Sequence, residues 1–60
     1  MEQQYNYYKL REHLTAYFEK GIMAGFSAAR VDLEKVKNAT DEELVALAQL
    51  EDFDLSEYTD

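Results

Sequence analysis

Sixty residues carrying 13 acids, 6 bases, one histidine, no cysteine and no proline allow one domain at most, and a chain of that size buries only about 60% of its unfolded surface. Without cysteine there is no disulfide or thiolate metal site, and the single histidine cannot complete the usual structural zinc sets. Stability must then come from close helix packing, self-association or a partner.

The net charge of −7 is unevenly placed. All the bases (Lys9, Arg11, Lys20, Arg30, Lys35, Lys37) precede residue 40, whereas residues 41–60 hold Asp41, Glu42, Glu43, Glu51, Asp52, Asp54, Glu57 and Asp60 with no base among them. Such a segment repels phosphate, which argues against direct binding to nucleic acid or to an anionic membrane and favours a basic protein surface as complement. The opening Met1-Glu2-Gln3-Gln4-Tyr5 has neither a basic n-region nor an apolar h-region. No apolar run approaches the roughly 20 residues that cross a bilayer, so the expectation is a cytoplasmic chain without membrane contact.

In chain order, the first predicted helix covers about residues 4–20. Tyr7, Leu10, Leu14, Tyr17 and Phe18 recur at three- and four-residue steps, the period of one helical face. Lys20 followed by Gly21 reads as a last turn and a glycine stop. Gly21 and Gly25 also stand at the small-xxx-small spacing of close helix crossings. Between a crossing and a loop the loop is preferred, and a break between helices is preferred to one long helix.

The second predicted helix covers 27–38, with Ser27 as its N-cap, Phe26 and Val31 as a hydrophobic staple, and Ala28, Val31, Leu33 and Val36 as its apolar positions. The third covers 41–50. Thr40-Asp41-Glu42-Glu43 spells a capping box, three acids suit the positive end of the helix dipole, and Leu44, Leu47 and Ala48 supply the apolar face, with Leu50 as a further candidate. Residues 51–60 alternate acids with Phe53, Leu55 and Tyr58; two readings stand, a turn packing back on the helices or a flexible acidic tail, with a further helical turn after Ser56 as a variant of the first. The predicted fold is all-α, a small three-helix mini-domain with an acidic C-terminal segment.

Little in the chain suggests catalysis. His13 has Glu12 beside it, about 100° away around the helix, and Tyr17 one turn on, with no serine or cysteine nucleophile converging. Asp52, Asp54 and Ser56 share the spacing of the first calcium ligands of an EF-hand, but Glu57 occupies the required glycine position and the twelfth position falls past residue 60. No catalytic, cofactor-binding or metal-binding residue is therefore assigned.

The expected function is that of an acidic protein-binding regulator or inhibitor. Asp52, Phe53, Asp54, Leu55, Glu57 and Tyr58 would dock on a basic surface of a larger protein, with Tyr5 and Tyr8 as further contacts. Nucleic-acid mimicry of the phage or mobile-element type belongs to the same class. The alternative is a homo-oligomeric assembly protein, a homodimer in the simplest case, that associates through Tyr7, Leu10, Leu14, Tyr17 and Phe18.

Overall fold

The computed structural model describes residues 5–59. Among them lie three α-helices, α1 (Tyr7–Met23), α2 (Ala28–Asn38) and α3 (Asp41–Leu50), followed by a 3-10 turn, Leu55–Tyr58. The small all-α fold is as the sequence implies, and among the described residues no helix is long and apolar enough to cross a membrane.

Helix α1 begins one residue after Asn6, whose side-chain Oδ1 accepts from the Lys9 amide at 3.1 Å and so satisfies one orphan donor of the first turn. The expected start at residue 4 lies outside the described residues. Its stop is not at Gly21. The helix runs through Gly21 and ends in a Schellman motif: the Phe26 amide donates to the Gly21 carbonyl at 2.9 Å and the Gly25 amide to Ile22 at 3.0 Å. Gly25 takes the left-handed position, at φ +96°.

Gly21 instead serves a helix crossing, the option set aside in favour of a loop. A Cβ built there would stand 3.1 Å from the Ala29 Cβ, so the absence of a side chain lets α1 and α2 approach. At the other end of the pair, Arg11 reaches Val36 and Ala39. Contacts of 21 with 29 and of 11 with 36–39 define an antiparallel hairpin.

Helix α2 starts without the expected cap. Ser27 is already helical at φ −61°, ψ −31°, and its side chain makes no capping bond; the entry is held by backbone bonds from Ala29 to Phe26 and from Arg30 to Ser27. The staple fails as well, since Phe26 and Val31 both stay mostly exposed. The cause lies at Gly21. In a Schellman motif the residue in Phe26's place usually packs on the side chain of the residue in Gly21's place, and glycine offers none.

Helix α3 opens on the full capping box. The Glu43 amide donates to Thr40 Oγ1 at 3.3 Å, and the Thr40 amide donates to Glu43 Oε1 at 3.0 Å. Its end repeats the α1 device with a different residue: the Phe53 amide bonds the Ala48 carbonyl at 2.9 Å, the Asp52 amide bonds Gln49 at 3.2 Å, and Asp52 sits at φ +59°. Aspartate tolerates that conformation better than most residues, and glycine better still.

These two left-handed positions give opposite expectations. Gly25→Ala should cost about 1 kcal/mol because the added Cβ meets the αL penalty. Asp52→Gly should stabilise by a smaller amount, at most about 1 kcal/mol, the unfolded-state entropy of glycine offsetting part of the relief. Urea midpoints of the two variants at unchanged m-value check both signs.

Leu10, Leu14, Phe18, Ala29, Val36, Ala39, Leu44, Ala48 and Tyr58 form the interior. Leu50, the further candidate for the α3 face, is turned out to solvent instead. Helix α2 packs back along α1, α3 also packs on α1, and the segment after α3 returns along α1: Phe53 stacks edge-on against Tyr17, Tyr58 against His13, and Tyr5 pairs with Thr59 in an isolated antiparallel bridge. The molecule measures 40 × 19 × 17 Å, about two helix diameters across. That thickness leaves room for one layer of core and for surface hollows.

Candidate partner-binding surface

Of the two readings left open for residues 51–60, the described part, 51–59, adopts the packed turn. Asp54 starts it: its Oδ1 accepts from the Ser56 amide at 3.1 Å and from the Ser56 hydroxyl at 2.6 Å. These bonds to the ionised form hold the Asp54 carboxyl below its ordinary range. The 3-10 turn then carries Tyr58 onto α1, where it is 6% exposed. Its ring lies under the Lys9 ammonium at 5.7 Å, its hydroxyl shares a 2.7 Å hydrogen bond with His13 Nδ1, and its carbonyl accepts from the Asn6 amide. Burial raises the Tyr58 phenol above its ordinary pKa, with the Glu57 charge adding to the effect.

The proposed apolar anchors therefore need correction. Tyr58 belongs to the core, and Phe53 and Leu55 are half-buried against it. They cannot be offered to a partner without undoing the turn. Asp52, Asp54 and Glu57 remain at the surface, Asp54 with its carboxylate engaged by Ser56. Tyr5 is partly buried, its ring edge-on to Tyr7 at 6.3 Å, whereas Tyr8 is exposed.

The stripe assigned to self-association is likewise used within the chain. Leu10 and Leu14 are fully buried and Phe18 nearly so. Tyr7 is half-buried, which leaves Tyr17 as the stripe's exposed member. A single copy of the chain buries in its own core most of the residues that the assigned seam would use.

The apolar surface that is left lies elsewhere. Met23 (87% exposed), Leu50 (76%), Phe26 (67%) and Val31 (59%) had no binding role assigned from sequence. Two hollows lie among them. One, of about 500 Å³, separates α2 from α3 and is lined by Val31, Ala39, Ala46, Leu47 and Leu50 with Glu34, Lys35 and Glu43 at its edges. The other, also about 500 Å³, sits where α1 turns into α2, between the rings of Tyr17, Phe18 and Phe26. Asp32 and Glu51 stand in its lining opposite a single base, Lys20.

Hydrogen bonding to Glu51 and the charge of that carboxylate raise the Tyr17 phenol above its ordinary pKa, with burial and Asp52 adding to the effect. The exposed aromatic surface and the acidic segment thus meet at one end of the molecule. The signal that could have located this end is Gly21-x-x-x-Gly25-Phe26, a small-residue crossing that leaves the following phenylalanine nothing to pack on.

Among the described residues no three of histidine, aspartate and glutamate converge as a metal set. His13 makes its bond to a tyrosine hydroxyl in the core, a structural partnership. The Glu43 carboxylate is held below its ordinary pKa by its bonds to the Thr40 amide and hydroxyl.

The sign of the pH effect follows. With folded-state values depressed, Glu43 and Asp54 stabilise the fold above their unfolded pKa values and lose that contribution as pH falls through the folded ones. The stability gap between the native chain and Glu43→Ala should accordingly narrow between pH 7 and pH 3. Taking the difference cancels the general relief of charge repulsion that acidification brings to a chain of net charge −7. Thr40→Ala should cost about 1 kcal/mol at pH 7, as removal of an N-cap hydroxyl does.

No family model, curated protein or solved structure matches this chain.

Proposed function

We propose that the chain is a protein-binding module that docks on a basic surface of a larger protein. The observation that carries this reading is the coexistence of large, mostly exposed apolar side chains, Phe26, Leu50 and Val31, with a final third that holds eight acids and no base. Exposed apolar groups in so small an acidic chain supply contact area, and the charge steers the encounter and selects against acidic partners. Asp52 and Glu57 belong to the steering surface. Phe53, Leu55 and Tyr58 act on binding only by shaping the segment that carries those acids.

The reading includes nucleic-acid-binding proteins among the partners, since carboxylates set out on a rigid turn can occupy a phosphate-binding surface. It is tested by capture from nuclease-treated lysate of the source organism with three baits: the native chain, Glu42→Lys/Glu57→Lys, and Phe26→Ala. The substituted residues are exposed, and circular dichroism verifies that each bait keeps its helix content. A partner retained by the native chain and lost with the charge reversal supports acidic docking, and its displacement by added DNA marks the mimic. Equal retention by the native and charge-reversed baits removes the steering role of the acids.

A further inference from the structure

We propose that the hollow at the α1–α2 turn is an anchor pocket for an arginine side chain carried on a basic segment of the partner. The proposal rests on the docking reading above and specifies which chemistry the docking surface takes.

The pocket is a consequence of three small-residue choices. Gly21 lets the helices cross with Ala29 at contact distance, and Ala24 and Ala28 keep the floor low on either side of the turn. Gly25 at φ +96° turns the chain so that Phe26 follows directly on the rim. With no side chain at Gly21 to pack on, Phe26 stays open, and Tyr17, 46% exposed, presents a second ring. Aromatic rings above a floor without polar side chains form a slot for a flat or elongated group.

The carboxylates decide which group. A leucine or phenylalanine inserted here would strip water from Asp32 and Glu51 and return no hydrogen bond to either. A lysine ammonium is compact and strongly hydrated, so it gains least from an apolar floor. A guanidinium stacks on an aromatic face, lays its aliphatic stem along apolar surface and donates in pairs to a carboxylate. Glu51 and the Tyr17 ring line the same hollow, and the further negative charge of Asp52 lies within range of that phenol. Lys20 offsets one of these charges, leaving the lining acidic. A second copy of the chain is disfavoured as occupant, since each copy carries −7.

The test is a titration of the full chain, labelled with nitrogen-15, with hexa-arginine and in parallel with hexa-lysine at about 150 mM salt, where diffuse charge attraction is largely screened. Hexa-arginine is expected to shift the amides of Gly21, Gly25, Phe26, Ala28 and Glu51 and to bind more tightly than hexa-lysine. Phe26→Ala and Glu51→Gln should each weaken it about tenfold, the scale of one desolvated cation–aromatic or charge-assisted contact. Gln49→Ala, which removes an exposed side chain that does not line the hollow, should leave the affinity unchanged. Shifts confined to Asp41–Glu43 and Asp54–Glu57, or equal affinity for the two peptides, would overturn the pocket while leaving the acidic docking reading in place. Absence of any shift with either peptide, even at low salt, would count against both. A concentration-dependent dimer abolished by Phe26→Ala would assign the hollow to a second copy and overturn the arginine proposal.

Discussion

Arg11→Met is expected to destabilise the fold by about 2–3 kcal/mol, because a single guanidinium closes the C-terminus of α2. Arg11 Nη1 donates to the Val36 carbonyl at 2.6 Å and Nη2 to the Ala39 carbonyl at 2.8 Å, with a longer contact from Nη1 to Lys37 at 3.4 Å. The last carbonyls of any helix lack intrahelical partners, and Val36 and Ala39 are buried residues where water has poor access. Substitution leaves the Ala39 carbonyl without its guanidinium partner, leaves the Val36 carbonyl only the longer 3.4 Å bond from the Ala39 amide, and removes a positive charge from the negative end of the helix dipole. Methionine keeps much of the aliphatic stem, so the loss reports on the polar contacts rather than on packing. Arg11→Lys should fall between the two, since an ammonium cannot span two carbonyls with a planar fork. Thermal midpoints should drop by roughly 10–20 °C for methionine, given the usual 4–8 °C per kcal/mol in domains of this size. An unchanged midpoint would mean that water caps α2 as well as Arg11 does.

That contact also marks where reading the sequence stops working. The α3 capping box was legible because all of its groups lie within four consecutive residues, Thr40 to Glu43. The α1 face was legible from period alone, and its members Leu10, Leu14 and Phe18 do form the core. Arg11 lies on the same helix and looks like any solvated base, since its partners are 25 to 28 residues away. The choice between Gly21 and Gly25 as the helix stop was illegible for a related reason. Both glycines satisfy the local rule, and it is the approach of Ala29 that keeps Gly21 inside the helix.

Ser27 shows the converse, a residue with the right chemistry for a cap at which the backbone is already helical. The burial of Leu10, Leu14 and Tyr58 depends on contacts between distant parts of the chain, among them the return of the acidic segment along α1, which the sequence left as one of two readings.

Tyr58→Ala is expected to have the largest effect, about 3 kcal/mol, the usual cost of truncating a buried aromatic to alanine. The loss is concentrated because, among the described residues of the returning segment, Tyr58 is the buried one, with Phe53 and Leu55 only half-buried beside it. It also brings together the Asn6, Lys9 and His13 contacts. Its removal should release residues 51–59 while α1, α2 and α3 retain much of their helicity, so hydrogen exchange should accelerate at Glu57 and Asn6 before it does at Leu14 or Val36. Tyr58→Phe separates the ring from the hydroxyl: the core contact and the Lys9 contact survive, the bond to His13 is lost, and a smaller cost of about 1 kcal/mol is expected. The same site sets an alkaline limit. With its folded pKa raised above the unfolded value, Tyr58 contributes full stability below the ordinary phenol pKa and loses it as pH rises through the folded value. Ionisation would place a phenolate in a buried position close to Glu57, and the returning segment should detach. Tyr58→Phe cannot ionise there, so at pH 11 its deficit relative to the native chain should shrink or reverse. A deficit that stays constant from pH 7 to pH 11 would show that Tyr58 titrates alike in the folded and unfolded chains, and that the segment is held by Phe53, Leu55 and the Tyr5–Thr59 bridge instead.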